Sequence, residues 1–194
     1  MTESECAIFI DGYSSASYPR IAFHWNERHG KDFSDSNQAL RAFIVKAVLD
    51  APGRASVELI HDLFEAEARF SKEAWCISPN FPRLGSLLLS RGGVEFLDAF
   101  VANMGISFDA YVSAHTMELD PVTIFSMLKE LERRISNAAD DSEKKRLVVA
   151  KQLFDMYKAG NAAAGTVLVP GDQVAKLRIR PPSWLEKLRR FLKA

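Results

Sequence analysis

The 194-residue sequence has little cysteine, no excess charge of either sign and no long apolar run. Its two cysteines, Cys6 and Cys76, form no C-x-x-C pair, which predicts reduced thiols in a reducing compartment. The N-terminal apolar run, residues 6–10, follows acidic residues, whereas a secretory signal begins with positive charge and has a longer apolar run. No stretch approaches the roughly 20 apolar residues that a membrane-spanning helix requires. We therefore expect a cytoplasmic protein.

The formal net charge is zero, from 25 basic and 25 acidic side chains. A protein whose whole surface binds nucleic acid is usually basic, so this balance argues against that class. The charge is uneven, because residues 171–194 carry seven basic and two acidic side chains. Hydrophobic residues make up 47% of the chain and charged residues 26%, a composition typical of a globular domain that buries its own core.

The sequence also lacks a complete catalytic or nucleotide-binding motif. The glycines of "SRGG", residues 90–93, match neither a Walker A loop nor a G-x-G-x-x-G turn. Cys76 follows Trp75 without the surroundings of a known cysteine nucleophile, and a free cysteine is most often a small buried hydrophobe. These absences favour a protein that is not an enzyme, and we expect no cofactor.

What the sequence has in abundance is helical periodicity, from residue 34 onward. Ser56, Ser107 and Asp120 each precede apolar residues at three- and four-residue spacing, which predicts helix N-caps. Pro121 then falls at the first helical position, where its missing N–H is harmless. Segments 119–136 and 142–160 predict an antiparallel helical hairpin, because the segment that joins them is short. Glycine after an apolar repeat predicts a helix end, as at Gly53, Gly92, Gly93, Gly105 and Gly160.

The pattern divides the chain into three parts. Residues 1–33 form an irregular N-terminal segment, in which residues 6–10 and 20–25 either pair as short strands or lie extended on a helical body. Residues 34–160 form the helical core. Residues 161–194 contain a predicted hairpin, from runs 166–169 and 174–179, and a basic amphipathic helix that begins after Ser183. The predicted fold is mainly α, a multi-helix single domain of about seven helices with one or two short β elements near the termini.

The stretch "HWNERHG", residues 24–30, holds the first candidate metal ligands, His24, Glu27 and His29. Zinc-binding histidines on a helix are commonly four residues apart, which places both on one face. A spacing of five turns a helix about 140° beyond one full turn, so His24 and His29 would face apart. An odd spacing also separates them on a strand. Only an irregular loop brings them together, so we expect a polar loop in which Trp25 is an anchor.

The segment after Ser56 carries a row of acidic residues. Glu58 and Asp62, and likewise Asp62 and Glu65, share a helical face, which predicts an acidic surface for a basic partner. Glu58 and His61 also have the Glu-x-x-His spacing of di-iron bundles, although that class needs the motif twice. Metal binding by Glu58 and His61 is therefore an alternative to partner binding.

The C-terminal segment "WLEKLRRFLKA" has a continuous apolar stripe flanked by basic residues. Such a helix docks on its own domain, or binds a partner groove, an anionic membrane surface or a nucleic-acid backbone. Trp184, Arg189 and Arg190 are its candidate partner-binding residues.

We therefore expect a non-enzymatic protein-binding domain, of the bacterial immunity type that inhibits a toxin. The partner is expected to be a protein, with membrane contact through the C-terminal helix as a further alternative. A different class, a metal-dependent enzyme or metal-binding helical protein, would use His24, Glu27 and His29, or Glu58 and His61.

Overall fold

The computed structural model describes residues 2–163, and these form an all-helical fold. Within this range there are eight α-helices, where about seven were expected for the whole chain, and three short 3-10 turns. The helices are α1 Glu3–Asp11, α2 Gln38–Asp50, α3 Val57–Ala74, α4 Phe81–Gly92, α5 Leu97–Met104, α6 Phe108–Ala114, α7 Pro121–Asn137 and α8 Asp141–Ala163. No helix within residues 2–163 is both long and apolar enough to cross a membrane.

Both alternatives for residues 6–10, a short strand and an extended segment, are wrong, because these residues lie inside α1. Thr2 and Glu5 cap this helix reciprocally: the Glu5 N–H donates to Thr2 Oγ1 at 3.3 Å, and the Thr2 N–H donates to Glu5 Oε2 at 2.7 Å. This capping box satisfies two N–H groups that would otherwise lack partners. The second predicted strand, residues 20–25, contributes only an isolated antiparallel bridge between Trp25 and Asp35.

Helix α3 lies at the centre of the core and packs chiefly on α4 and α5. Its predicted cap is confirmed, since the Leu59 N–H donates to Ser56 Oγ at 3.1 Å. The side chains on its inner face are fully buried, and Phe64 stacks on Phe81 and Phe100 with ring centroids 4.5 and 5.9 Å apart. Helix α3 therefore has a fixed position relative to its neighbours.

The predicted hairpin of two long helices is also confirmed: α7 and α8 pack against each other and are joined by three residues. Their contact buries apolar side chains from both helices, among them Leu128, Leu131, Leu147 and Leu153. Helix α8 continues to Ala163, beyond the end predicted at Gly160. The predicted hairpin of runs 166–169 and 174–179, and the helix after Ser183, lie outside the described residues.

The N-cap of α7 gives a test of local stability. The N–H groups of Val122 and Thr123 both donate to Asp120 Oδ1 at 2.9 Å. Burial raises the pKa of Asp120, but hydrogen bonds from Thr123 and Val122 outweigh it and hold the pKa below its ordinary value. Because the pKa is depressed, the stabilisation is present above the ordinary pKa and is lost as the pH falls through the folded-state value.

We expect Asp120→Ala to lower the free energy of unfolding by about 1 kcal/mol near neutral pH, and by less at about pH 2. Urea unfolding followed by circular dichroism at both pH values measures this difference. Asp120→Asn is the control, because its amide oxygen retains the acceptor without the charge, and it should lose less. An equal loss for the alanine variant at both pH values would contradict the assignment of the carboxylate as the cap.

Candidate interaction site

The loop that contains "HWNERHG" folds back on itself. The His24 N–H donates to Asp35 Oδ1 at 3.1 Å, and the Ser36 N–H donates to the His24 carbonyl at 3.2 Å. Asp35 Oδ1 also accepts the Asn37 N–H at 3.1 Å, so the same carboxylate oxygen holds both ends of the loop. The loop is thus closed at its base by hydrogen bonds to one buried aspartate.

The interior of the loop is organised by Asn26. Its Oδ1 accepts the N–H groups of Arg28 and Ser34, and its Nδ2 donates to the Asp32 carbonyl at 2.6 Å. Glu27 adopts the left-handed conformation, with φ of 60°. This conformation is uncommon for a residue other than glycine, and it occurs between the two histidines.

The loop does not bring His24, Glu27 and His29 together as metal ligands. His24 Nδ1 lies 2.7 Å from Ser36 Oγ, Glu27 is exposed, and the His29 ring packs against the Trp25 ring at 4.8 Å. Among the described residues, one group of three ligating side chains has converging atoms, and it lies elsewhere, on α3.

An aromatic surface, consisting of Trp25, His29 and Trp75, lies at the C-terminal end of α3. The ring centroids of His29 and Trp75 are 6.5 Å apart. Phe33 supports the surface from below, 6.4 Å from Trp25 and 5.6 Å from Phe70 of α3. The loop and the end of α3, which are distant in sequence, therefore form one aromatic surface.

Trp75 is the exposed tryptophan of this surface. It follows the last residue of α3, has φ of 53°, and leaves 82% of its surface accessible. Glycine is the usual residue in this helix-ending conformation, and a side chain there costs about 1–2 kcal/mol. The fold thus holds a large apolar side chain in solvent, in a backbone conformation that disfavours it.

Phe70 also contacts the Arg41 ion cluster, which consists of Arg41, Asp35 and Glu67, since Arg41 Cζ lies 5.8 Å from the Phe70 ring centroid. Arg41 Nε donates to Glu67 Oε1 and Arg41 Nη2 to Asp35 Oδ2, each at 2.7 Å, while Nη1 donates to the Ile21 carbonyl at 3.4 Å. The Arg41 and Asp35 side chains are fully buried, and Glu67 is nearly so. The cluster connects the loop, α2 and α3.

The Arg41 ion cluster borders a cleft of about 270 Å³ between α2, the end of α3 and the segment that follows it. We call it the α3 cleft. Among its described lining residues, the charged side chains are Arg41 and Glu67, and the apolar wall includes Val45, Phe70 and Ile77. Cys76 lies at the exposed rim, and Phe70 is shared with the support of the aromatic surface.

The group of converging ligating atoms on α3 consists of His61, Asp62 and Glu65, whose candidate ligand atoms lie within 4.8 Å of one another. His61 Nδ1 lies 3.0 Å from Asp62 Oδ1, and the Tyr13 hydroxyl donates to Asp62 Oδ2. The hydrogen bond to Asp62 raises the pKa of His61 against the opposing effect of burial. Burial and the bond to Asp62 raise the pKa of Tyr13 well above its ordinary value.

The structure thus separates the acidic candidates into two environments. Glu58 is exposed and lies outside the group, so the predicted Glu58–His61 pair is not brought together as part of it. Asp62 and Glu65 are half-buried, and Glu65 also pairs with Arg69 at 2.5 Å. The candidates Trp184, Arg189 and Arg190 lie outside the described residues.

Comparison of the chain with protein-family models, with curated proteins and with solved structures found no match.

Proposed function

We propose that this chain is a protein-binding domain that recognises its partner through the aromatic surface, with Trp75 as its anchor. The observation that carries the proposal is the exposure of Trp75 in a left-handed backbone conformation. Backbone strain of this kind concentrates at functional sites, and tryptophan is one of the three residue types enriched among interface residues that dominate binding energy.

The surroundings of Trp75 also suit an interface. His29 and Trp25 extend the apolar area, and the hydrogen bonds of the loop hold them in place before a partner arrives. A surface that is already ordered loses little conformational entropy on binding, so more of the contact energy appears as affinity.

The finer proposal is that the partner is a toxin and the domain an inhibitor of the immunity type. Helix α3 carries Glu58, Asp62 and Glu65, and Trp75 follows its last residue. Acidic groups on the helix that carries an aromatic anchor at its end favour a basic protein, because opposite charge raises the association rate and rejects acidic competitors.

The experiment uses Trp75→Gly, and the partner to be tested is the product of the neighbouring gene, where the immunity-type proposal expects the toxin to be encoded. Glycine relieves the left-handed strain, so stability should be retained or raised while binding is lost. We expect the Kd, measured by calorimetry, to rise about 30-fold or more, as for a dominant interface tryptophan. Phe125→Ala, at a phenylalanine that is 66% exposed on α7, is the control and should leave the Kd unchanged. A Kd that Trp75→Gly does not change would contradict the proposal.

A second candidate function, metal binding, is favoured by the convergence of His61, Asp62 and Glu65. An imidazole and two carboxylates are a ligand set that zinc accepts. Bound metal must displace the proton of His61, so affinity should increase with pH through the raised pKa of that residue. The expected result is a rise in Tm on adding Zn²⁺, reversed by chelator and abolished by His61→Ala but not by His115→Ala. A Tm unchanged by zinc at alkaline pH would contradict this candidate.

A further inference from the structure

The Arg41 ion cluster has an excess of negative charge that borders the α3 cleft. Asp35 and Glu67 are two carboxylates, whereas Arg41 is the single cation to which both are bound. In formal terms the cluster carries one negative charge, in a region where charges are shielded from water. A buried charge without full compensation is costly and attracts a counter-charge.

The carboxylate oxygen of the cluster that accepts no hydrogen bond within residues 2–163 is Glu67 Oε2. Both oxygens of Asp35 accept hydrogen bonds, whereas Glu67 accepts through Oε1 from Arg41, and its Oε2 has no donor among the described residues. Glu67 is only 6% exposed and lines the cleft. No fully buried side-chain oxygen of the described residues lacks a partner, so Oε2 keeps some contact with solvent, on a residue that lines the cleft.

The other residues that line the α3 cleft indicate the chemical class of such a ligand. Its apolar wall, with Val45, Phe70 and Ile77, suits a short hydrocarbon chain, and Ser78 and Asn80 add polar atoms. An ammonium group has three N–H donors, of which Oε2 accepts one and polar lining atoms are available for the others. A cleft of about 270 Å³ is smaller than the usual drug-sized site, which favours a compact ligand.

We infer that the α3 cleft binds a primary alkylammonium group, with the ammonium on Glu67 Oε2 and the hydrocarbon chain against Phe70. This site goes beyond the proposed protein-binding function, and the inference does not depend on that function. The ammonium belongs either to a free alkylamine or to a lysine side chain of a polypeptide, and the two sources share the same contacts in the cleft.

The primary experiment titrates the ¹⁵N-labelled chain with n-butylammonium and, separately, with n-butanol, which matches its chain length without the charge. We expect n-butylammonium to shift the amide signals of Ala42, Val45 and Ile77 with a Kd on the order of 1 mM, and n-butanol to bind at least about tenfold more weakly. Equal affinity for the two probes would overturn the inference, and this comparison needs only the natural chain.

The variant experiment replaces Glu67 with glutamine, which keeps an acceptor for Arg41 and removes the charge. We expect Glu67→Gln to weaken n-butylammonium binding about tenfold or more, and Glu58→Gln, at an exposed acid of the same helix, to leave it unchanged. A folded Glu67→Gln protein with unaltered binding would overturn the inference. A melting curve shows whether Glu67→Gln folds. If it does not, the comparison of n-butylammonium with n-butanol on the natural chain tests the inference.

Cys76 provides an independent readout, because it lines the α3 cleft and is exposed. Cys6 is buried, and burial raises the pKa of its thiol, so alkylation of the native protein reports on Cys76. We expect n-butylammonium, but not n-butanol, to slow Cys76 alkylation, as measured by mass spectrometry. An unchanged rate at saturating n-butylammonium would contradict binding in the cleft.

Two further arms distinguish the source of the ammonium. One uses lysine blocked at both its amino and carboxyl ends, which presents the side chain as a polypeptide does, and the other uses n-butylammonium alone. Tighter binding of the blocked lysine would assign the site to a polypeptide side chain. Tighter binding of n-butylammonium would assign it to a free amine, and binding of neither would overturn the inference.

Discussion

Replacing Arg41 with methionine should lower the free energy of unfolding by about 3–5 kcal/mol. Methionine fills similar space but leaves Asp35 and Glu67 as two buried carboxylates without a cation, at the junction of the loop, α2 and α3. The penalty arises from these unpaired charges more than from the lost attraction, since a buried ion pair is itself weak evidence of net stabilisation. Urea unfolding followed by circular dichroism measures the change.

Two further variants test whether the loss arises from unpaired buried charges. Arg54→Met removes the partner of Asp11 in an ion pair whose side chains are about half exposed, and such pairs contribute about 0–1 kcal/mol. The double variant Arg41→Met with Glu67→Gln should be less destabilised than the sum of the two single variants, because one of the unpaired charges is gone. Additive losses would show that the two side chains do not interact energetically.

Phe64→Ala should destabilise the fold by a similar amount, about 3–5 kcal/mol. Phe64 is fully buried in the middle of α3 and stacks on both Phe81 and Phe100. Its truncation removes apolar contact area and leaves a cavity that rigid neighbouring helices cannot close. The measurement is urea unfolding. The midpoint should fall, while the dependence of the unfolding free energy on urea concentration should remain that of the natural chain.

The matched control is the same substitution at a phenylalanine that the fold leaves in solvent. Phe108, at the first position of α6, is 79% exposed, so Phe108→Ala should change stability by about 0.5 kcal/mol or less. A loss at Phe108 comparable to that at Phe64 would mean that Phe108 is packed in solution and that this surface of α6 is covered.

Most helices could be predicted from the sequence because their signals are local. Ser56, Ser107 and Asp120 cap helices at the predicted positions, each through a hydrogen bond that spans two or three residues. The error at residues 6–10 has the same local origin, because a five-residue apolar run does not distinguish strand from helix. The Thr2–Glu5 capping box was the deciding signal, and it is visible in the sequence.

The loop at residues 24–30 shows what residue spacing alone can and cannot predict. The five-residue interval between His24 and His29 argued against a shared face, and in the structure the two rings have different partners, Ser36 and Trp25. Spacing did not indicate that the loop would bring His29 next to Trp75, because that contact depends on where α3 ends in space.

By itself, the sequence determined a mainly helical domain with a hairpin of two long helices, since caps and periodicity act within a few residues. Only the tertiary structure decided which polar groups are buried together. Arg41 and Glu67 are separated by 26 residues, and Tyr13 and Asp62 by 49. Such pairs form because packing of the helices removes these groups from water. Each buried group then takes the other as its hydrogen-bond partner. The Arg41 ion cluster, the α3 cleft and the aromatic surface are consequences of that packing.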